Sequence, residues 1–218
     1  MDLTTSYLAA IPADVRSRYD LCETRNAAAV LEATNPGSFA EAVEVLRGFN
    51  LRATDITDAG GSKSAVPIRL DGAFRELGWR EGRHDTRILS VLRVMPYRPA
   101  GETKVVEIEK EVVNEGYKVD NVKERIALDV EWHAKDGNLD RDVAAYRALY
   151  DAGIIDGGII ITRSHASIRA LSIMLGRPGG FKTTTTTTLE KLEPRLTRGD
   201  GGGCPVLAVA ITDRCYAP

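Results

Sequence analysis

The chain has 218 residues, 43% of them hydrophobic, enough to bury a full core as a single domain spanning 1–218. Its 29 basic and 31 acidic side chains leave a formal charge of −2, which excludes a global electrostatic pull onto nucleic acid. Any DNA-binding surface must therefore be local.

Taken in chain order, Pro12 predicts a first helix from Ile11 to Cys22, because proline is tolerated where the first N–H groups of a helix lack partners. Asn35-Pro36-Gly37 breaks the chain, and Ser38 with Glu41 reads as a capping box for a helix to about Phe49. Leu51 to Thr57 reads as a short strand, Gly60 to Ser64 as a polar loop, and Pro67 starts a helix that reaches Trp79. Arg87 to Met95 and Lys104 to Val113 read as strands, the second half buried because one face is charged.

After a turn at Asn114-Glu115-Gly116, the run Y-K-V-D-N-V-K-E-R-I-A-L-D-V-E-W-H-A predicts a hairpin. One strand reaches Val122, the chain turns at Lys123-Glu124-Arg125, and a second strand runs from Ile126 to His133. Leu139 to Tyr150 has helical spacing, with Val143, Tyr146, Leu149 and Tyr150 on one side and Asp140 near its positive end. Ile154 to Ile161 is a buried strand, and a helix between two strands implies a crossover and a locally parallel pair. A helix from Ala166 to Leu175, a long polar loop 177–203 holding the six threonines Thr183 to Thr188, and a strand from Cys204 to Thr212 complete the chain. The class is α/β, with a mixed central β-sheet flanked by helices.

Cys22, Cys204 and Cys215 are scattered without the close pairs of disulfide scaffolds or zinc sites. The N-terminus lacks a basic and then apolar leader, and no stretch approaches the roughly 18 apolar residues that span a bilayer. A cytoplasmic protein with reduced thiols is expected.

Residues two apart on a strand face the same way, so Asp129 and Glu131 project together, while Leu128, Val130 and Trp132 form the buried face. Asp120 lies nine residues before Asp129, where the hairpin brings it opposite them. D-x-E also arises on any half-exposed strand. Three converging carboxylates raise one another's pKa unless a cation sits among them. Magnesium, with its preference for oxygen ligands and retained waters, suits such a cluster and supplies the chemistry of phosphodiester hydrolysis.

At these residues the sequence resembles the PD-(D/E)XK nucleases, and within them the restriction endonucleases of the BglII and BstYI type. That pattern has an Asp ending one strand and, nine residues on, an acidic residue, an apolar residue and a Gln. Asp120, Asp129 and Glu131 take those places in D-N-V-K-E-R-I-A-L-D-V-E-W. Asp129 stands where those relatives carry Glu, and Glu131 where they carry Gln; most of the superfamily carries Lys there and BamHI-type enzymes Glu. The segment I-I-I-T-R-S-H, Ile159 to His165, is similar to their central strand and following turn, and A-F-R-E-L-G-W, Ala73 to Trp79, to the helix end before their sheet. The resemblance implies a restriction-endonuclease-like core and a magnesium-dependent type II enzyme that cuts double-stranded DNA at a short, palindromic site, leaving 5′-phosphate and 3′-hydroxyl ends. It also implies a homodimer paired with a cognate DNA methyltransferase. Asp120 and Asp129 are then the metal ligands, and Glu131 a third ligand or the base that orients water.

Between Arg163 and Asp200 seven basic residues face three acidic ones, making this the basic region of the chain. Arg163, His165, Arg169 and Lys182 are candidates there for DNA contact, as are Lys135 and Asn138 after the acidic strand and Lys63 in the Gly60 to Ser64 loop. Each also fits an ordinary solvated surface. The helix from Leu139 to Tyr150, with its two tyrosines, is the candidate for a dimer face. G-R-P-G-G-F-K-T, Gly176 to Thr183, is not a P-loop, because Phe181 separates the last glycine from Lys182 and a helix precedes it. Two alternatives remain: a repair or structure-specific nuclease of the same superfamily, and a DNA-binding module whose acidic cluster is inert.

Overall fold

The structure is a computed structural model that describes residues 1–58, 65–182 and 185–218. In chain order, β1 (Leu3–Thr4), α1 (Tyr7–Ala10), α2 (Ala13–Arg16), β2 (Tyr19–Thr24), α3 (Ala27–Thr34), α4 (Pro36–Gly48), α5 (Ala53–Thr57), α6 (Ala65–Glu76) and β3 (Arg80–Arg83) form the first half. Then come β4 (Thr86–Val94), β5 (Val106–Asn114), β6 (Lys118–Lys123), β7 (Ile126–Val130), α7 (Gly137–Asp151), β8 (Gly157–Arg163), α8 (His165–Met174), α9 (Leu189–Arg198) and β9 (Val206–Ile211). The chain forms two compact units, Met1–Gly82 with Lys118–Pro218, and Arg83–Tyr117.

The larger unit is built on a seven-stranded mixed sheet in the order β1-β2-β9-β8-β7-β6-β3. β7, β8 and β9 run parallel, whereas β6 pairs with β7 and β2 with β9 antiparallel. The crossover through α7 thus joins a parallel pair, as the order of elements predicts. Helices cover both faces. On one, Leu128, Val130, Trp132, Ile161 and Val209 pack with Leu31, Phe39, Leu70, Phe74, Ile168 and Leu171. On the other, Ala127, Ile160 and Ala208 pack with Leu139, Val143 and Tyr146 of α7 and with Leu192 and Leu196 of α9. Each valine, leucine, isoleucine or phenylalanine among them contributes about 1.5–3 kcal/mol by leaving water. Gly158 lets α7 come close, because a Cβ there would lie 2.1 Å from the Tyr146 ring. This is the α/β class with a mixed central sheet.

The smaller unit is a two-stranded antiparallel ribbon with Ile88 opposite Val112, Leu92 opposite Ile108 and Val94 opposite Val106. These six side chains share one side of the pleat. The other side carries the ion pairs of Arg87 with Glu111 and of Arg93 with Glu107. All residues of β5 are exposed, where a half-buried strand is expected from the sequence.

Several elements depart from expectation for stated reasons. The helix predicted from Ile11 to Cys22 is only α2, and Tyr19 to Thr24 become β2, which pairs along its whole length with β9. Long-range ladder bonds override a local preference there. The stretch from Leu51 to Thr57 is not a strand: Leu51 makes an isolated bridge to Tyr216, and residues 53–57 form α5, capped by the Asp55 carboxylate on the Arg52 N–H. α4 begins at Pro36, and Ser38 and Glu41 do not cap it: Ser38 donates to Glu124, while Glu41 accepts from Lys123 and Trp79. The 177–203 stretch contains α9, whose Leu189, Leu192 and Leu196 line one side despite Pro194.

Candidate active site

The site grows from the β6–β7 hairpin. Its two-residue turn places Glu124 at φ +50°, the left-handed conformation that tight hairpin turns require. The Arg125 N–H donates to Asn35 Oδ1, and the Arg125 guanidinium pairs with Asp156 at 2.8 Å, fixing the turn. From the pairing of Asn121 with Leu128, the register carried one step further sets Asp120 opposite Asp129. The Asp120 N–H donates to Asp129 Oδ1 at 2.8 Å. The predicted hairpin and its pairing of the two aspartates are therefore what the chain adopts.

Glu131 follows the last residue of β7 and extends the parallel ladder, its N–H donating to the Ile161 carbonyl at 2.7 Å. Its own carbonyl accepts from two hydroxyls, Thr162 Oγ1 and Thr187 Oγ1, each at 2.9 Å. Thr187 belongs to the threonine tract, of which Thr185 to Thr187 run along the chain after β7: Thr187 N–H bonds the Ala134 carbonyl, Thr186 bridges Lys135, and Asp136 N–H bonds the Thr185 carbonyl. A stretch that looks like low complexity thus pins the backbone of Glu131.

Asp129 and Glu131 face the side of the sheet covered by α7, and there the helix supplies a carboxylate that the sequence reading passed over. Asp142 is 2% exposed and near enough to Glu131 for each carboxyl to shift the pKa of the other. Its signal was present: it lies three residues after Leu139 and four before Tyr146, on the apolar stripe of the helix. A fifth acid, Asp71 of α6, accepts from Asn121 Nδ2 at 2.8 Å and adds negative charge near Asp120.

Asp129 Oδ2, Glu131 Oε2 and Asp142 Oδ2 are buried with no hydrogen-bond partner. Burial first, and then neighbouring carboxylates, push the pKa of Asp129, Asp142 and Asp120 upward. Burial likewise raises Glu131, to about 7. Asn138 Nδ2 lies 3.5 Å from Glu131 Oε1, and Arg141 Nε 3.6 Å from Asp142 Oδ1. Tyr146 spends its hydroxyl proton on the Ile159 carbonyl at 2.8 Å. Buried in its own chain, Tyr146 has no part in a dimer face.

Buried carboxylate oxygens without partners fit a hard divalent cation. Among the described residues no three ligating side chains already surround one point. Magnesium does not need that, since it is usually held by one or two carboxylates together with waters and substrate phosphates.

The candidate DNA contacts fall in different surroundings. Lys135 and Lys182 are exposed. Asn138 is half buried, with its Nδ2 beside Glu131 Oε1. Arg163 is fully buried on the opposite face of the sheet from the carboxylates, against the Trp132 and Phe181 rings, and donates to the Trp132 carbonyl and to Thr186 Oγ1. Burial draws its pKa down to about 10. His165 starts α8, and its N–H is taken by the Glu190 carboxylate at 2.9 Å. Arg169 is half buried, with Nη1 enclosed and unpaired. Lys63 lies outside the described residues. Lys191, Arg195 and Arg198 of the basic region pair with Asp136, Asp140 and Asp200, so less of its charge is free than the sequence suggests.

A family model described as Restriction endonuclease BglII/BglIII matches residues 19–211, most of the chain. No curated protein matches it. The match runs from β2 through β9 and includes the hairpin, Glu131 and α7.

Proposed function

The chain belongs to the BglII/BglIII restriction endonuclease family, and from that premise we propose that it is a magnesium-dependent type II enzyme whose active site is formed by Asp120, Asp129 and Glu131. It acts on double-stranded DNA at a short palindromic sequence, as a homodimer, in the cytoplasm beside a cognate methyltransferase. The observation that carries the reading is the Asp120–Asp129 pair across the hairpin, with Glu131 two residues on and unsatisfied oxygens on both Asp129 and Glu131.

Asp120 and Asp129 would hold the ion. Bound there, magnesium supplies positive charge to the scissile phosphate and to the leaving 3′ oxygen. The remaining work belongs to the protein. The main-chain N–H of Asp120 holds Asp129 by Oδ1, leaving Oδ2 buried and without a partner. Glu131, its backbone clamped by Thr162 and Thr187, orients the attacking water and takes its proton, a role suited to a carboxyl raised to about 7. Asn138 steadies the other Glu131 oxygen. Lys135 and Lys182 are exposed cations suited to phosphate contact, with His165, Arg169 and Lys63 further candidates. Arg163 acts through the segment it holds, Trp132 to His133 and Thr186.

Digestion of supercoiled plasmid with magnesium tests this. Discrete fragments of reproducible length are expected. Nicking that follows DNA structure instead of sequence points to a repair nuclease, and binding without cleavage to an inert module. Asp120→Ala that cuts as fast as the native protein refutes the site.

A further inference from the structure

We propose that the apolar side of the β4–β5 ribbon is the surface on which a second copy of the chain docks, ribbon face to ribbon face about a two-fold axis. The inference rests on the homodimer of the reading above and assigns it a surface. Of the 21 large apolar side chains exposed among the described residues, 13 fall within the 35 residues Arg83–Tyr117. Ile88, Leu92, Val94, Val106, Ile108 and Val112 share one side of the pleat, each between 39% and 61% exposed. They leave roughly 500 Å2 of apolar surface open to water, the size at which a patch on a monomer is often an interaction site. A two-stranded ribbon is also marginal in water unless something covers such a face.

Charge and symmetry select the occupant. The ribbon unit carries six basic and six acidic residues, so it has no net pull toward a charged partner. On the side opposite the apolar one, Arg87 and Arg93 are spent on Glu111 and Glu107, and Glu109 adds a further negative charge. A DNA groove entered by this ribbon would meet net negative charge on one side and hydrocarbon on the other. A two-fold partner, by contrast, needs a patch that complements itself, and three rungs of paired aliphatic side chains meet their own kind. The one charge on that side is Lys110, opposite Ser90. Because the ribbon is only two strands wide, the lysine stem lies along the apolar surface while its ammonium reaches water at the rim. Two such faces together remove on the order of 1,000 Å2 from water, where specific interfaces begin. The eight other exposed apolar side chains are divided among the N-terminal segment, α6 and the turn after it, the loop before β8, and α8, none of which contributes more than three.

Sedimentation equilibrium of the full chain without DNA tests the interface. The native protein is expected to be a dimer at micromolar concentration, and Ile108→Glu should raise the dissociation constant about 100-fold, the scale of losing a buried anchor. Val113→Glu, on the opposite side of the same strand, should leave the constant as it is. Circular dichroism establishes that each variant is folded; if Ile108→Glu loses strand signal, Ile88→Thr combined with Ile108→Thr, which keeps both side chains β-branched, decides. A native monomer, an Ile108→Glu protein that stays dimeric, or equal weakening by Val113→Glu overturns the inference. An Ile108→Glu protein that stays dimeric but no longer binds plasmid gives the face to DNA instead. Discrete plasmid fragments from a native monomer overturn the ribbon interface and leave the nuclease chemistry standing. A native dimer that never cuts, and that Ile108→Glu dissociates, does the reverse.

Discussion

Two regions of the larger unit bury carboxylates equally well and use them in opposite ways. Glu23, at the end of β2, is fully enclosed, and its oxygens accept from the main-chain N–H groups of Ser6, Tyr7 and Ala28, the last at 2.7 Å. Tyr7 and Ala28 lie in the first turns of α1 and α3, where helices have donors without partners. Glu23 is therefore a structural brace between two helix starts and a strand. Asp129, Glu131 and Asp142 are as deeply enclosed, yet each keeps an oxygen with no partner. Burial alone does not mark a functional acid; unsatisfied burial does, because a buried polar group without a partner is costly to maintain.

The comparison can be broken most sharply by activity. Asp120→Ala removes one arm of the hairpin pair and should slow DNA cleavage by about 10²–10³-fold, the scale of losing one preorganised electrostatic group. Glu23→Ala should leave the specific activity of the surviving folded protein intact. It should instead lower stability by about 3 kcal/mol, because three donors lose their acceptor, and urea unfolding reads this directly. If the two variants exchanged phenotypes, the assignment of brace and site would be reversed.

Metal-free stability should separate the regions next, and with opposite sign. Asp129→Asn removes a carboxyl that is costly to ionise where it is buried, and at pH 8 should stabilise the metal-free fold by about 1 kcal/mol where Glu23→Ala destabilises it. The pH dependence has the same origin. Asp129 and Asp142 have raised pKa values when folded, so across the range from the ordinary carboxylate value of about 4 toward neutrality the folded chain holds more protons than the unfolded one. Their contribution therefore favours folding at low pH and is lost as pH rises through that window. Thermal melts without metal should show a lower Tm at pH 8 than at pH 6 from this cause, and magnesium should raise Tm more at pH 8. A magnesium-induced shift that is equal at both values contradicts the cluster as the binding site.

How much of this could be read from the amino acids alone differs between the same two regions. The hairpin was legible, because period-2 alternation in I-A-L-D-V-E-W assigns each residue a face and two strands joined by a short turn assign its partner. The parallel pair was legible for a different reason, a helix between two strands, though β8 starts at Gly157 and not at Ile154, which is exposed. Glu23 was not, because β2 exists only through its pairing with β9, about 185 residues away in the chain (Tyr19 with Ile211 to Thr24 with Val206). Asp142 falls between. Its place on the apolar stripe of a predicted helix was visible, but which carboxylates that stripe would meet depended on how α7 crosses the sheet.

The smallest expected effect is at Thr187, and it probes whether the backbone beneath Glu131 matters as much as its carboxyl. Thr187 and Thr162 both donate to the Glu131 carbonyl at 2.9 Å, so that carbonyl keeps one partner when the other is lost. Thr187→Val preserves shape and removes a single neutral hydrogen bond from a buried place, worth about 1 kcal/mol of stability. The fold should stand, and cleavage should fall by severalfold through a looser Glu131, with magnesium affinity at Asp120 and Asp129 unchanged. A Thr187→Val protein that loses stability but cuts at the native rate shows that the threonine tract serves the fold alone. The double change with Thr162→Val then tests the clamp outright: two hydroxyls serving one carbonyl should give a combined loss larger than the sum of the separate ones, because only the double variant leaves the buried oxygen without a partner.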